Sequence, residues 1–383
     1  MGYYRRVGEV PRKRHTVHRG TDGGVLIEEL MGSDGFSADS ALLYHRRSPS
    51  ALVAIEAIDD APVSLTPNMP LSPWHLRTTA LTDGTDMVRD RVALLGNDAV
   101  RISMVRGAQS SELYRNAAND ELVYVQTGNG VVESVFGALA VGPGDYLVVP
   151  RGTTHRWVVS ATIVVALVIE SRGHIGPPKR YLSAHGQFLE QAPYCERDLR
   201  APDETLAVEG EQIDVLVRTS AGFTRHVHRY HPFDVVGWDG ALYPYALSIH
   251  DFEPIVGRVH QPPPVHQTFE APGFVVCSFV PRPYDFHPDS VKVPYHHANV
   301  DSDEVLFYSA GEFASRAGSG IGIGSITLHP SGFVHGPAPG SRERVADQDR
   351  TNELAVMVDT FQPLSLTDRA RDIGDLDYPR SWR

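Results

Sequence analysis

A spacing of acid, glycine, proline and histidine occurs twice in this chain, and it constrains the fold more tightly than any bulk property. In the C-terminal half Glu304 is followed by six residues and Gly311; Gly324 is followed by five residues, Pro330-Ser331-Gly332, two more residues and His335. In the N-terminal half Glu121, six residues and Gly128 repeat the first part, and Gly144, five residues, Pro150-Arg151-Gly152, two residues and His155 repeat the second. Runs of this length between turn signals fit β-strands. Glycine takes positive φ without steric cost, and proline pre-sets φ before a turn. The spacing therefore predicts an internal duplication built of short strands and tight turns. With 34 glycines, 28 prolines and little sustained helical periodicity, an all-β, mainly β chain is expected.

The two halves differ in chemistry. His297 and Asn299 precede Glu304; at the same offsets from Glu121 stand Tyr114 and Asn116. Two imidazoles and one carboxylate, His297, Glu304 and His335, are the donor set of the facial triad used by non-haem Fe(II) oxygenases, which leaves metal positions open. The first half keeps only Glu121 and His155, and two ligands seldom hold a metal alone. It is expected to be metal-free, with His155 a hydrogen-bonded turn or core histidine. Successive strand side chains face opposite sides, so only one of His296 and His297 can point inward, and only one of Phe307 and Tyr308 lines the site. Asn299 is placed to support a ligand by hydrogen bonding. His250, His266 and His287 read as surface or core histidines.

Elsewhere, residues 1–50 read as edge strands and loops, 67–75 as loop, and 96–98 as a turn before a strand over 99–105. Buried strands are expected over 275–280 and 354–358, and a short helix near 367–371. The segment 232–240 reads as a core corner. Pro262, Pro263 and Pro264 make a stiff extended stretch between His260 and His266, able to hold a histidine at a pocket rim. The charged stretch 196–205 is the expected connection, dividing the chain into an N-terminal β domain over 1–205 and a C-terminal metal-site domain over 206–383.

The formal charge of −12 argues against nucleic acid or an anionic membrane as partner. The basic run Arg5, Arg6, Arg12, Lys13 and Arg14 is short, a solvated arm or an oligomer contact. No apolar stretch reaches the ~18 residues of a membrane span, and the N-terminus carries no signal-like apolar segment. Two cysteines, Cys195 and Cys277, are too few for a disulfide framework, so a reducing, cytoplasmic setting is expected.

The doubled spacing resembles the two-part signature of the cupin superfamily, with Asn299 in place of one usual ligand histidine. That implies two cupin-type β-barrel or jelly-roll repeats, a bicupin, with few short helices. Over roughly residues 232–340 the chain also resembles homogentisate 1,2-dioxygenase, an Fe(II) ring-cleaving family of tyrosine catabolism. Pro232-Phe233-Asp234-Val235-Val236-Gly237-Trp238 is similar to the segment ahead of that family's site. Tyr295-His296-His297-Ala298-Asn299 followed by Glu304 is similar to its Tyr-His-Arg-Asn…Ser-Glu motif, with one extra residue before the glutamate. Leu328-His329 and His335-Gly336-Pro337 are similar to its Leu-His…His-Gly-Pro motif. The resemblance implies Fe(II) on His297, Glu304 and His335, His260 as the acid/base histidine, and His329 in contact with substrate. It implies a small aromatic acid and O2 as reactants, homogentisate opening to 4-maleylacetoacetate, and a homo-oligomer in which trimers pair into hexamers. Phe313 stands where the family has a substrate-binding tyrosine, and Asp239 where it has a histidine. These departures admit a relative acting on another phenolic acid. A non-catalytic metal-binding cupin and a Mn- or Zn-using cupin isomerase are the other readings of the same residues.

Overall fold

The structure, a computed structural model, describes residues 3–58, 62–159, 162–316 and 318–383. A nine-stranded sheet forms its middle layer. The central strands Asp120–Thr127, Asp145–Val149 and Val164–Ser171 are buried on both faces. Leu122, Tyr124, Tyr146, Val148, Leu167 and Ile169 enter one hydrophobic core. Their neighbours Val123, Val125, Leu147, Val149, Ala166 and Val168 enter another. A strand covered on both sides needs an apolar run rather than a polar alternation, and these three segments have one.

A seven-stranded sheet that includes Tyr114–Asn116, Thr154–Val159 and Glu211–Thr219 closes the second core. A six-stranded sheet closes the first. Its strands, in spatial order, are Gln267–Ala271, Phe274–Phe279, Leu354–Thr360, Asp303–Ala310, Ser325–His329 and Trp74–Arg77. Across that core Tyr124 meets Phe307, and Tyr146 meets Phe269, edge to face at 6.1 and 5.3 Å. The buried hydroxyls of Tyr124 and Tyr146 are satisfied by Ser309 and Ser278, each at 2.8 Å. The result is two jelly-roll layers backed onto one shared sheet, the all-β duplicated architecture expected from the spacing.

Strand pairing crosses residue 205 repeatedly. Tyr245–Ser248 adds to the nine-stranded sheet beside Asp145–Val149, and Ser365–Leu366 pairs with Val92–Gly96. Two local expectations are corrected. The segment 67–75 is not all loop: Trp74 and His75 begin a strand whose partner is Ser325–His329, and buried His75 reaches Ser325 Oγ at 2.8 Å. Residues 1–50 are not all edge. Ser40–His45 lies inside a four-stranded sheet between Ile27–Gly32 and Val235–Gly240. In both cases the partner strand comes from about 190 or more residues away, beyond the reach of local pattern. The short helix Asp368–Asp372 starts where expected, capped by Thr367 Oγ1, which accepts from Ala370 N at 3.1 Å.

His45 ties the four-stranded sheet together. Its Nδ1 lies 2.6 Å from Asp234 and its Nε2 2.9 Å from Glu29. Burial would lower its pKa, but hydrogen bonds to the two carboxylates raise it to about 9. The folded value exceeds the unfolded value of about 6.5. The stabilisation is therefore complete below about pH 6.5 and lost as pH rises through about 9. Thermal melts should show a midpoint falling over that window, and His45→Gln should remove most of that slope. An unchanged slope in the variant would contradict the assignment.

Candidate metal centre

The strand Asp303–Ala310 divides its side chains between core and cavity. Val305 and Phe307 enter the core, while Glu304, Leu306 and Tyr308 face a cavity of about 270 Å³. The Phe307–Tyr308 choice thus falls to Tyr308. The strand ends at Gly311, where φ is +84° and any Cβ would sit 1.9 Å from the Asn352 carbonyl oxygen. That close approach accounts for the glycine at the end of the first spacing.

His297 and His335 are joined by a single antiparallel bridge, N–H to O at 2.8 and 2.9 Å in the two directions. Each ring places Nδ1 near the carbonyl oxygen two residues earlier, Tyr295 at 3.1 Å and Phe333 at 3.0 Å. A carbonyl can only accept, so the ring proton sits on Nδ1 and the Nε2 lone pair faces inward. His297 Nε2 is 3.4 Å from Glu304 Oε2, and His335 Nε2 is 3.1 Å from Glu304 Oε1. Burial would raise the Glu304 pKa, but the His297, His329 and His335 rings around it hold it well below the usual carboxylate range. The hydrogen bond that a protonated His297 would give Glu304 outweighs burial and raises the His297 pKa in the metal-free site. One ligand atom from each of the three residues lies within 4.8 Å of the others. Two nitrogen lone pairs turned onto one carboxylate call for a cation between them, and this group can hold a metal ion.

His329 pairs in register with Glu304. Burial pushes its pKa down to about 4, so the ring is neutral. It donates from Nδ1 to Glu304 Oε1 at 2.8 Å and accepts at Nε2 from the Tyr378 hydroxyl at 2.8 Å. His260 stands half-exposed at the rim, 3.6 Å from Asp285 and edge-on to Tyr295 at 5.2 Å. Tyr295 is in turn edge-on to His297 at 6.4 Å. Phe313 is buried edge-on against Tyr308 at 4.8 Å, and the cavity lining passes from Tyr308 to Ala314, Ser315 and Arg316 without it. Asn299 lines the cavity 3.5 Å from Asp359. Burial and the nearby Glu304 charge push Asp359 up to about 7. His296 is exposed, leaving His297 as the inward ring. Asp239 lies elsewhere, buried beside the hydroxyl of Tyr4, so that departure from the family pattern does not touch the cavity.

The wall residues not picked out as functional from sequence include His266, Arg316 and Asp359. His266 lies tilted against Phe279 at 4.7 Å, and burial pushes its pKa down to about 3. Its place four residues beyond the first of the three prolines was the available signal.

The first half keeps the frame and loses the site. His155 repeats the Nδ1 bond to the carbonyl two residues earlier, Thr153 at 3.1 Å. Glu121, however, receives Arg91 in a two-pronged pair at 2.7 and 2.9 Å, with Tyr114 at 2.7 Å and Asn116 at 2.8 Å. A guanidinium occupies the cation's place.

Comparison with known proteins agrees with this geometry. Residues 83–249 match the family model described as homogentisate 1,2-dioxygenase N-terminal. A protein of Saccharolobus solfataricus, provisionally assigned as a dioxygenase, is 41% identical over 386 residues, covering 100% of this chain and 99% of that one. The homogentisate 1,2-dioxygenase of Rhodopseudomonas palustris is 24% identical over 74% of this chain and 65% of its own length. That of Emericella nidulans is 25% identical over 62% of this chain and 54% of its own. The alignments thus span less than two thirds of those enzymes. Among solved structures, a cupin barrel protein from Leptotrichia buccalis aligns over 79% of this chain with a TM-score of 0.34 and 10% identity.

Backed jelly-roll layers with a His-Glu-His cluster on the cavity face of the six-stranded sheet define a cupin. The chain belongs to the homogentisate 1,2-dioxygenase family of that superfamily, and it is a dioxygenase. No helix among the described residues is long and apolar enough to cross a membrane.

Proposed function

We propose that the protein is an Fe(II)-dependent ring-cleaving dioxygenase of a small phenolic acid, homogentisate being the first candidate. The observation that supports it most is the pair of inward Nε2 lone pairs on an anionic, buried Glu304 facing a cavity. That donor set fits Fe(II). When bound, the ion supplies Lewis acidity and electron transfer to O2.

The chain's own residues do the rest. The Tyr295 and Phe333 carbonyls fix the tautomers of the two ligand rings. His329 holds Glu304 in place and is itself held by Tyr378. Leu306, Phe279, Val293 and Met357 wall the cavity, seat an aromatic ring and exclude water. His260 at the rim accepts the ring hydroxyl's proton, and Asp285 stabilises the imidazolium that forms.

His260→Asn should keep the metal and lower turnover by about 10²–10⁴-fold, read from metal content and O2 uptake side by side. Near-normal turnover would move the role elsewhere, with His266 the other cavity-wall imidazole outside the Glu304 cluster. The test of the function itself is O2 uptake by Fe(II)-reconstituted protein with a panel of phenolic acids, followed by mass spectrometry of the products. Ring-opened homogentisate is expected. Uptake only with a different phenolic acid would keep the chemistry and change the substrate. No uptake with any member would refute both.

A further inference from the structure

Each half of this protein buries an arginine beside its cupin site, and only one of the two is neutralised. Arg91 is clamped on Glu121. Arg316 is 5% exposed and lines the metal cavity. Its Nη1 donates to the carbonyl of Gly336, next to His335, at 2.8 Å, and its Nη2 donates to Ser381 Oγ at 3.1 Å. The guanidinium lies over the rings of Trp382 and Tyr378 at 4.4 and 5.2 Å. Nε is buried and has no hydrogen-bond partner among the described residues. Among the described residues no carboxylate forms an ion pair with this side chain. A guanidinium cannot shed its proton at ordinary pH, and a buried charge without a counter-charge is costly. The carboxylates that line the cavity have other partners: Glu304 is surrounded by three imidazoles, Glu353 pairs with Arg282 at 3.1 Å, Asp285 lies beside His260 and Asp359 beside Asn299.

We propose that Arg316 is the specificity-determining residue for an anionic substituent on the substrate, a carboxylate set off from the hydroxylated ring. This rests on the reading of the cavity as a phenolic-acid site and names the group that selects the acid. The free Nε and the adjacent Nη2 form the side-on fork that suits a carboxylate. The aromatic faces under the guanidinium hold it flat and leave its edge for the ligand. The substrate class is therefore a phenol bearing a carboxylate arm, in preference to a neutral phenol of the same shape.

The test is calorimetry on full-length protein loaded with redox-inert Zn(II), under anaerobic conditions, with homogentisate and its methyl ester as the two probes. Wild type should bind the acid more tightly than the ester. Arg316→Gln should weaken the acid by about 10- to 150-fold, the range for a hydrogen bond to a charged group, and collapse the acid-to-ester ratio. Arg316→Lys keeps the charge and loses the fork, so it should reduce that ratio by less; it also serves if the glutamine variant fails to fold, which melts and zinc content reveal. Wild type that binds both probes alike, or variants that weaken both alike, would overturn the role of Arg316 alone. Wild type that binds neither would overturn the phenolic-acid reading and this assignment with it.

Discussion

Glu304→Ala should lose bound metal and turnover together while the protein still folds. Glu304 is the one anion of the triad, it is 6% exposed, and it is held ionised by the three imidazoles around it. Its removal leaves His297 and His335, and two neutral ligands seldom retain a divalent ion. The core face of the same strand, Val305 and Phe307, is untouched, so the six-stranded sheet keeps its packing. His297→Ala and His335→Ala should behave alike. His155→Ala, in the half where Arg91 already occupies the carboxylate, should leave metal content unchanged. Metal per chain, measured after Fe(II) reconstitution, decides each case. Full occupancy in Glu304→Ala would remove that residue from the ligand set, and a fall in His155→Ala would give the first half a site it is not expected to have.

Arg91→Ala should be the most destabilising single change in the first half, by about 3–5 kcal/mol, the cost of leaving one member of a buried ion pair alone. Both side chains are nearly inaccessible, 2% for Arg91 and 1% for Glu121. Burial would raise the Glu121 pKa, but the Arg91 charge and hydrogen bonds hold it far below the usual carboxylate range. In the wild type this contributes stability above the unfolded pKa of about 4.3, lost as pH falls toward the folded value. In the variant the carboxylate stays buried without its cation and its pKa rises instead. The variant's deficit should therefore be largest near neutrality and shrink as pH drops toward 5. Denaturant unfolding at two pH values reads this directly. A loss under about 1 kcal/mol, or one independent of pH, would show that the pair is not what holds Glu121.

Much of this was legible in the sequence because turns are written locally. Gly311 and the Pro330–Gly332 turn mark where strands must end, and their spacing to Glu304 and His335 brings the triad together. Tyr114 in place of a histidine announced the loss of ligands in the first half. The replacement cation could not be read, since Arg91 lies 23 residues before Tyr114 and outside either motif. The insertion of Trp74–Arg77 into the distant six-stranded sheet was equally hidden, because strand pairing across about 250 residues leaves no periodic trace. His329 shows a different limit. The family resemblance brought it to the site as a substrate contact and it does line the cavity, but its bridge between Glu304 and Tyr378 could not be read from sequence. The aromatic tail was visible as composition, but that Tyr378 and Trp382 seat Arg316 depends on packing alone.

The central claim is that this cavity opens an aromatic ring with O2. The measurement that tests it most directly is a single reaction of Fe(II)-reconstituted protein with homogentisate under isotopically labelled O2, read by mass spectrometry. The expected product is ring-opened and carries both labelled oxygen atoms in one molecule. An unopened ring, or a product that takes its oxygen from water, would contradict it.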